Sequence, residues 1–338
     1  MRLSILDQAP ISANQTPQEA LVESMKLAQA GERLGYIRYW IAEHHDLTGL
    51  ACPAPEVMLG YIGAHTKSIR IGSGAVLLPH YKPYKVAEVY NMLGTLFPDR
   101  IDIGIGRAPG GSAEATNALS DNFLQQVWKM PESIDMLLHF IHRDFPPGHE
   151  FANVKAAPIP ETPPVPWLLG TSKKSAILAA EKGLAYTFGL FMSDNDGEEI
   201  VREYRKNFVE RKEGDKPQVI VTVSAICAET QEKAEDIALS SYIWGKQRDK
   251  KEGSGGIPSI SEAKEYLKKE NLYEGFEKMK QKVIIGDPME VKNRLFELQQ
   301  AYQADELMIV TITHSPKDRL KSYELIAREM GLKSILSD

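Results

Sequence analysis

Glu43-His44-His45 is the densest run of ionisable side chains at the end of any apolar run in the 338-residue chain. Imidazoles take up or hold a proton near neutral pH, so such a run is a candidate for general acid–base chemistry. The spacing is neither HxxxH nor HExxH, which would set two ligands on one helical face, so a histidine zinc site is not supported and no metal is expected. Adjacent side chains at a strand end face opposite ways, so at most one histidine can face a common centre. His44 is the candidate; the residues alone leave it open as a catalytic group or a hydrogen-bonded loop histidine.

Two other stretches suit an anion. In Gly104-Ile105-Gly106-Arg107-Ala108-Pro109-Gly110 the glycines are spaced GxGxxxG, with the third one place late and Pro109 poorly suited to opening a helix there. A nicotinamide fingerprint is therefore discounted. Arg107 instead reads as a guanidinium that could hold a phosphate through paired hydrogen bonds. Gly170-Thr171-Ser172-Lys173-Lys174-Ser175 precedes an alanine-rich helix. Free N–H groups at that helix start, two hydroxyls and the positive end of the dipole could bind an anion, or the hydroxyls could simply cap the helix. With an arginine at the neighbouring strand end, the two stretches together fit one phosphate. Gly74 interrupts the apolar run 71–78, which marks either a bulge or a close approach of backbone to a ligand.

These residues need a scaffold that gathers loops from distant parts of the chain. Short β-rich runs alternate with longer amphipathic ones almost from end to end, the pattern of a parallel α/β architecture. Strands are expected at 3–6, 36–42, 69–78, 101–105, 167–169, 185–189, 218–225 and 306–313, with helices between them and a last helix at 319–330. Helical material is expected across about 113–142, and the proline-rich stretch 146–166 is expected to be irregular. Residues 245–280 lengthen the connection after the seventh strand well beyond the usual few residues, and a segment of about 245–285 is expected to form a mobile lid. Eight strands with helical crossovers predict a single (β/α)8 TIM barrel over 1–338 rather than a doubly wound sheet. In such barrels the site lies at the C-terminal ends of the strands, where His44, Arg107 and Thr171-Ser172 all fall.

Composition excludes several classes. Forty basic against 46 acidic residues give a net charge of −6, with no basic cluster to follow a phosphate backbone, so nucleic acid is not an expected partner. The N-terminus lacks an apolar export core and no window reaches the roughly 20 apolar residues of a membrane helix, so a cytoplasmic protein without membrane contact is expected. Cys52 and Cys227 stand far apart without CxxC spacing and read as two reduced thiols.

Ordered motifs across nearly the whole chain resemble the luciferase-like flavin monooxygenase family, in particular its single-chain oxidoreductases. They are Leu6-Asp7-Gln8-Ala9-Pro10, Trp40-Ile41-Ala42-Glu43-His44-His45, Ile71 to Pro79, Pro98 to Gly110, Leu169-Gly170-Thr171-Ser172 and Ala304 to Met308; only about 240–285 lacks a counterpart. The resemblance implies a barrel binding FMN, with Arg107, Thr171, Ser172 and Ser175 at its phosphate and a cis peptide at Gly74-Ala75 beneath its ring. It implies His44 as the catalytic histidine with Glu43 as its support. It further implies that reduced FMN, supplied by a separate flavin reductase, reacts with O2 to a flavin hydroperoxide that oxygenates a small organic substrate. A homodimer is implied too, with the helices around strands two and three as its interface. Gly106 stands where luciferase has a cysteine, which opens space and counts against light emission. Two other functions stay open: a deazaflavin F420-dependent oxidoreductase on the same fold, and a non-catalytic flavin-binding protein.

Overall fold

The computed structural model describes residues 1–250, 252 and 255–334. Eight parallel strands pair in the order β1 (Leu3–Asp7), β2 (Arg38–Ile41), β3 (Arg70–Ser73), β5 (Ile101–Gly106), β6 (Val165–Gly170), β7 (Ala185–Gly189), β8 (Val219–Cys227) and β10 (Glu306–Val310). β10 pairs with both β8 and β1, through Glu306↔Ile220 and Leu3↔Leu307, so the sheet closes on itself. The expected (β/α)8 TIM barrel is the fold. Two short strands lie off this ring: β4 (Val76–Leu77) beside β5, and β9 (Ile284–Gly286) beside the end of β8.

Strands covered on both faces are buried along their whole length, as β1, β2 and β5 are, mostly by apolar side chains. Leu6, Trp40, Trp167, Ile220 and Met308 fill the barrel's interior. The alternate side chains, among them Ile5, Tyr39, Ile71 and Ile103, pack outward against the helices in the main core.

The first crossover helix, α1 (Pro17–Leu34), begins where Thr16 and Glu19 form a reciprocal cap with Pro17 at the first turn. α2 (Pro55–His65) and α3 (Pro83–Leu96) also open on prolines. The helical material expected across 113–142 is three helices, α4 (Ala113–Leu119), α5 (Phe123–Trp128) and α6 (Met130–His142). Pro131 lacks the N–H that a continuous helix would need, so it stands in the first turn of α6 instead.

The run expected as one strand over 69–78 is also divided. Between the register points Ile71↔Ile101 and Val76↔Ile105, five steps along this strand oppose four along β5. One extra residue is accommodated at Gly74-Ala75, whose peptide bond is cis. This is the bulge that the misplaced glycine allowed.

After α7 (Lys173–Glu181), α8 (Gly197–Lys206) and β8, the long connection expected as a lid at about 245–285 is mostly helical. α9 (Gln231–Lys250) is followed by α10 (Ile260–Lys269) and α11 (Tyr273–Lys282). Leu239, Ile243, Ala263, Leu267 and Phe276 give this excursion a small core of its own. α12 (Pro288–Tyr302) and α13 (Pro316–Glu329) complete the ring. No helix among the described residues is long and apolar enough to cross a membrane.

Candidate active site

β2 delivers the first group. Trp40 and Ala42 face the interior, and alternation carries His44 toward the mouth while Glu43 turns away. The His44 N–H donates to the Cys52 carbonyl at 2.9 Å, which closes the loop it begins. Its Nδ1 is buried and makes no hydrogen bond among the described residues. Burial, then the charges of Arg248 and His45, push its pKa down to about 4. The imidazole is therefore neutral at physiological pH and presents an unfilled polar atom where barrel enzymes hold their ligands.

Glu43 does not support His44 directly, and that expectation is corrected. Its side chain accepts hydrogen bonds from the Leu77 N–H at 3.0 Å and the Tyr81 hydroxyl at 2.8 Å, and it pairs with His45 Nε2 at 2.8 Å. It fastens β4 and the following turn to the end of β2, so its bearing on His44 runs through the backbone. Tyr81 had no sequence signal, because its contact with Glu43 spans 38 residues.

β5 and β6 bring the second group together. Arg107, exposed just past β5, donates from Nη2 to Ser172 Oγ at 3.4 Å. Ser172 is the N-cap of α7, its hydroxyl accepting from the Ser175 N–H at 3.4 Å. The N–H groups of Lys173 and Lys174, in the first turn, have no carbonyl one turn earlier inside the helix. Thr171 is half-buried, its carbonyl accepting from Asn195 Nδ2 at 2.8 Å. Ser175 is buried: its hydroxyl donates to the Ser172 carbonyl at 2.7 Å and lies 3.1 Å from the Tyr186 hydroxyl. Ser175 therefore shapes the loop, whereas Arg107, Ser172 and the open N–H groups face outward. Gly170 is required here, since a Cβ would lie 2.1 Å from Ser175 Oγ. A groove of about 580 Å³ opens beside Arg107, Lys174 and Ser175.

The cis Gly74-Ala75 peptide lies between these groups in chain order, at the β3–β4 break. A Cβ on Gly74 would lie 2.4 Å from Leu6 Cδ1, so a larger residue there would have to displace Leu6 in the interior. The space expected at Gly106 is taken: a Cβ would come within 2.9 Å of Ala75 Cβ. Of the two thiols, Cys52 and Cys227 are both buried and free, and burial pushes each up to about 12. No cluster of metal-binding side chains occurs among the described residues.

A closed parallel barrel with an orphaned imidazole and an arginine beside a helix start at its strand ends is the arrangement of a barrel enzyme. The chain belongs to the luciferase-like monooxygenase family, whose model matches residues 1–304. It is 37% identical over 331 residues to N-acetyl-S-alkylcysteine monooxygenase of Bacillus subtilis (strain 168), covering 97% of each. The solved structure of apo-MsnO8 superposes with a TM-score of 0.87 at 33% identity, over 98% of this chain and 99% of that one. The oxygenating constituent of 3,6-diketocamphane monooxygenase from Pseudomonas putida, solved in complex with FMN, shares the fold with a TM-score of 0.72 at 18% identity over 97% of each chain.

Proposed function

We propose that the protein is a flavin-dependent monooxygenase that uses reduced FMN, delivered by a separate reductase, and O2 to oxygenate a small organic substrate. The observation that carries this reading is the meeting of Arg107 with the start of α7. A guanidinium from one strand end and a capped helix N-terminus from the next converge through Ser172, and together they suit a phosphate dianion. The FMN bound by the fold neighbour supports the choice of cofactor.

In this reading Arg107, Thr171 and Ser172 hold the phosphate and Ser175 keeps their loop in shape. Gly74 and Ala75 lie under the ring, and His44 stands beside it. Bound reduced FMN supplies the electrons and the site of oxygen activation. Neutral His44 can donate or accept one hydrogen bond at Nδ1 and so hold a proton near the reacting atoms without adding a charge. The helices that follow β8 are the part of the chain that would close over the mouth and exclude water. The name of the Bacillus relative makes a thioether carboxylate a first substrate to try. Val57, Tyr61, Met92 and Leu96 are exposed on α2 and α3, which supports a homodimer built on those helices.

Anaerobic titration with reduced FMN tests the assignment. Arg107→Ala should weaken binding about tenfold to a hundredfold, the range for a lost charge-assisted hydrogen bond, whereas His44→Ala should change it less than about threefold. Equal and negligible losses in both variants would sink the reading.

A further inference from the structure

Arg248 has no part in the reading above, yet it stands over the same mouth. It lies near the C-terminal end of α9, with its guanidinium carbon 5.1 Å from the Trp244 ring centre. Trp244 is buried and donates from its indole to the Gly255 carbonyl at 3.0 Å. Its other neighbour is the loop that leaves the barrel at His44 and returns at Cys52: a Cβ on Gly49 would lie 2.8 Å from the Trp244 indole nitrogen. Thr48 of that loop packs on Gly255 in turn. Trp244 thus sits on the His44 loop, and Arg248 covers Trp244.

The charges around this point are lopsided. The carboxylates at the neighbouring strand ends are occupied: Asp7 accepts from the Tyr39 hydroxyl, from the Ala9 N–H and from Arg319, and Glu43 is filled as described. Arg248 makes no ion pair or hydrogen bond among the described residues, its one recorded contact being the Trp244 ring. The groups whose charge reaches His44 are Arg248 and His45, with no carboxylate among them. In a chain of net charge −6, the mouth keeps two cations without acidic partners. Arg107 is matched by the flavin phosphate; Arg248 is left over.

We propose that Arg248 is the anion-recognising residue of the substrate pocket, holding a carboxylate or sulfonate of the substrate above Trp244 so that its uncharged end reaches down toward His44. The inference rests on His44 marking the reacting end of the mouth, as the monooxygenase reading has it. A planar guanidinium stacked on an indole keeps its edge free for two parallel hydrogen bonds to such an anion. An anion seated there would cancel the charge that Arg248 exerts on His44.

The test uses the full chain with hexanoate, hexanesulfonate and hexanamide as probes, followed by calorimetry and by NMR titration of the His44 ring. Both anions should bind the unaltered protein at least about tenfold tighter than hexanamide and should raise the His44 pKa. Arg248→Gln should abolish both effects, Arg248→Lys should restore part of the binding, and hexanamide should not distinguish the three proteins. Anions that bind no better than the amide, or that bind Arg248→Gln as well as the unaltered protein, would overturn the proposal. Reduced FMN titrated into Arg248→Gln should bind as it does to the unaltered protein. Failure of FMN to bind either one would count against the flavin reading and leave the anion result standing.

Discussion

The two ends of the barrel handle buried polarity in opposite ways. At the N-terminal ends of the strands, Arg38 donates to Asp102 at 2.7 Å and to Glu306 at 2.7 and 3.1 Å. Arg70 reaches the other oxygen of Asp102 at 2.6 Å, Trp40 Nε1 donates to Asp102 at 3.0 Å, and the Ser4 hydroxyl donates to Glu306. Every charge there is matched within the chain. At the C-terminal ends, among the described residues, His44 Nδ1 is unpartnered, Arg107 makes one long hydrogen bond to a hydroxyl, and Arg248 rests on a ring alone. A saturated network resists ligands and holds the strands in register. An unsaturated one costs stability in the free protein and is repaid when a ligand brings the missing partners.

That contrast can be broken by experiment, beginning with the largest effect. Arg38→Ala leaves Asp102 and Glu306 buried without their shared cation, which should lower stability by about 3–5 kcal/mol, read from the urea midpoint at constant slope. A loss under about 1 kcal/mol would mean that the lower network is not what holds the barrel. The mouth should betray itself through pH. His44 has its pKa lowered to about 4 in the folded chain, against about 6.5 when unfolded. The unfolded chain thus takes the proton first. The contribution is whole above about pH 6.5 and is lost as pH falls toward 4, with a slope of up to about 1.4 kcal/mol per pH unit. His142, also lowered, chiefly by burial, acts in the same direction. His44→Gln should remove the His44 share and leave that of His142; an unchanged pH profile of stability would show that His44 is not buried in solution. The smallest effect belongs to Ser172→Ala, which removes the α7 cap and should cost about 1 kcal/mol while weakening FMN binding less than Arg107→Ala does.

Much of the architecture was legible because it depends on local pattern. The alternation of apolar runs and amphipathic helices required a parallel α/β fold, whose helices α1 and α3 open on prolines. The breaks were less visible. A helix of three pieces and a strand with a bulge share their composition with uninterrupted ones, and only pairing with β5 revealed where Gly74-Ala75 places the extra residue. The helices within the long connection after β8 were not legible, because their apolar residues serve a separate small core and their spacing does not follow the barrel's.

The site divides along the same line. Arg107 and Ser172 were found because each lies next to a strand end in a motif with its own anion chemistry, and their meeting follows from β5 and β6 being neighbours. The family resemblance implied Glu43 as the support of His44, whereas its carboxylate is taken up by Leu77, Tyr81 and His45. Tyr81, Trp244 and Arg248 carried no signal, since each acts on a group far away along the chain. From its sequence alone, then, this protein is determined as a barrel with a histidine and an arginine at its mouth, because both facts rest on periodicity and short motifs. Which of those groups is satisfied and which is left open was decided only by the tertiary structure, because the partners that satisfy them come from strands and helices tens to hundreds of residues apart.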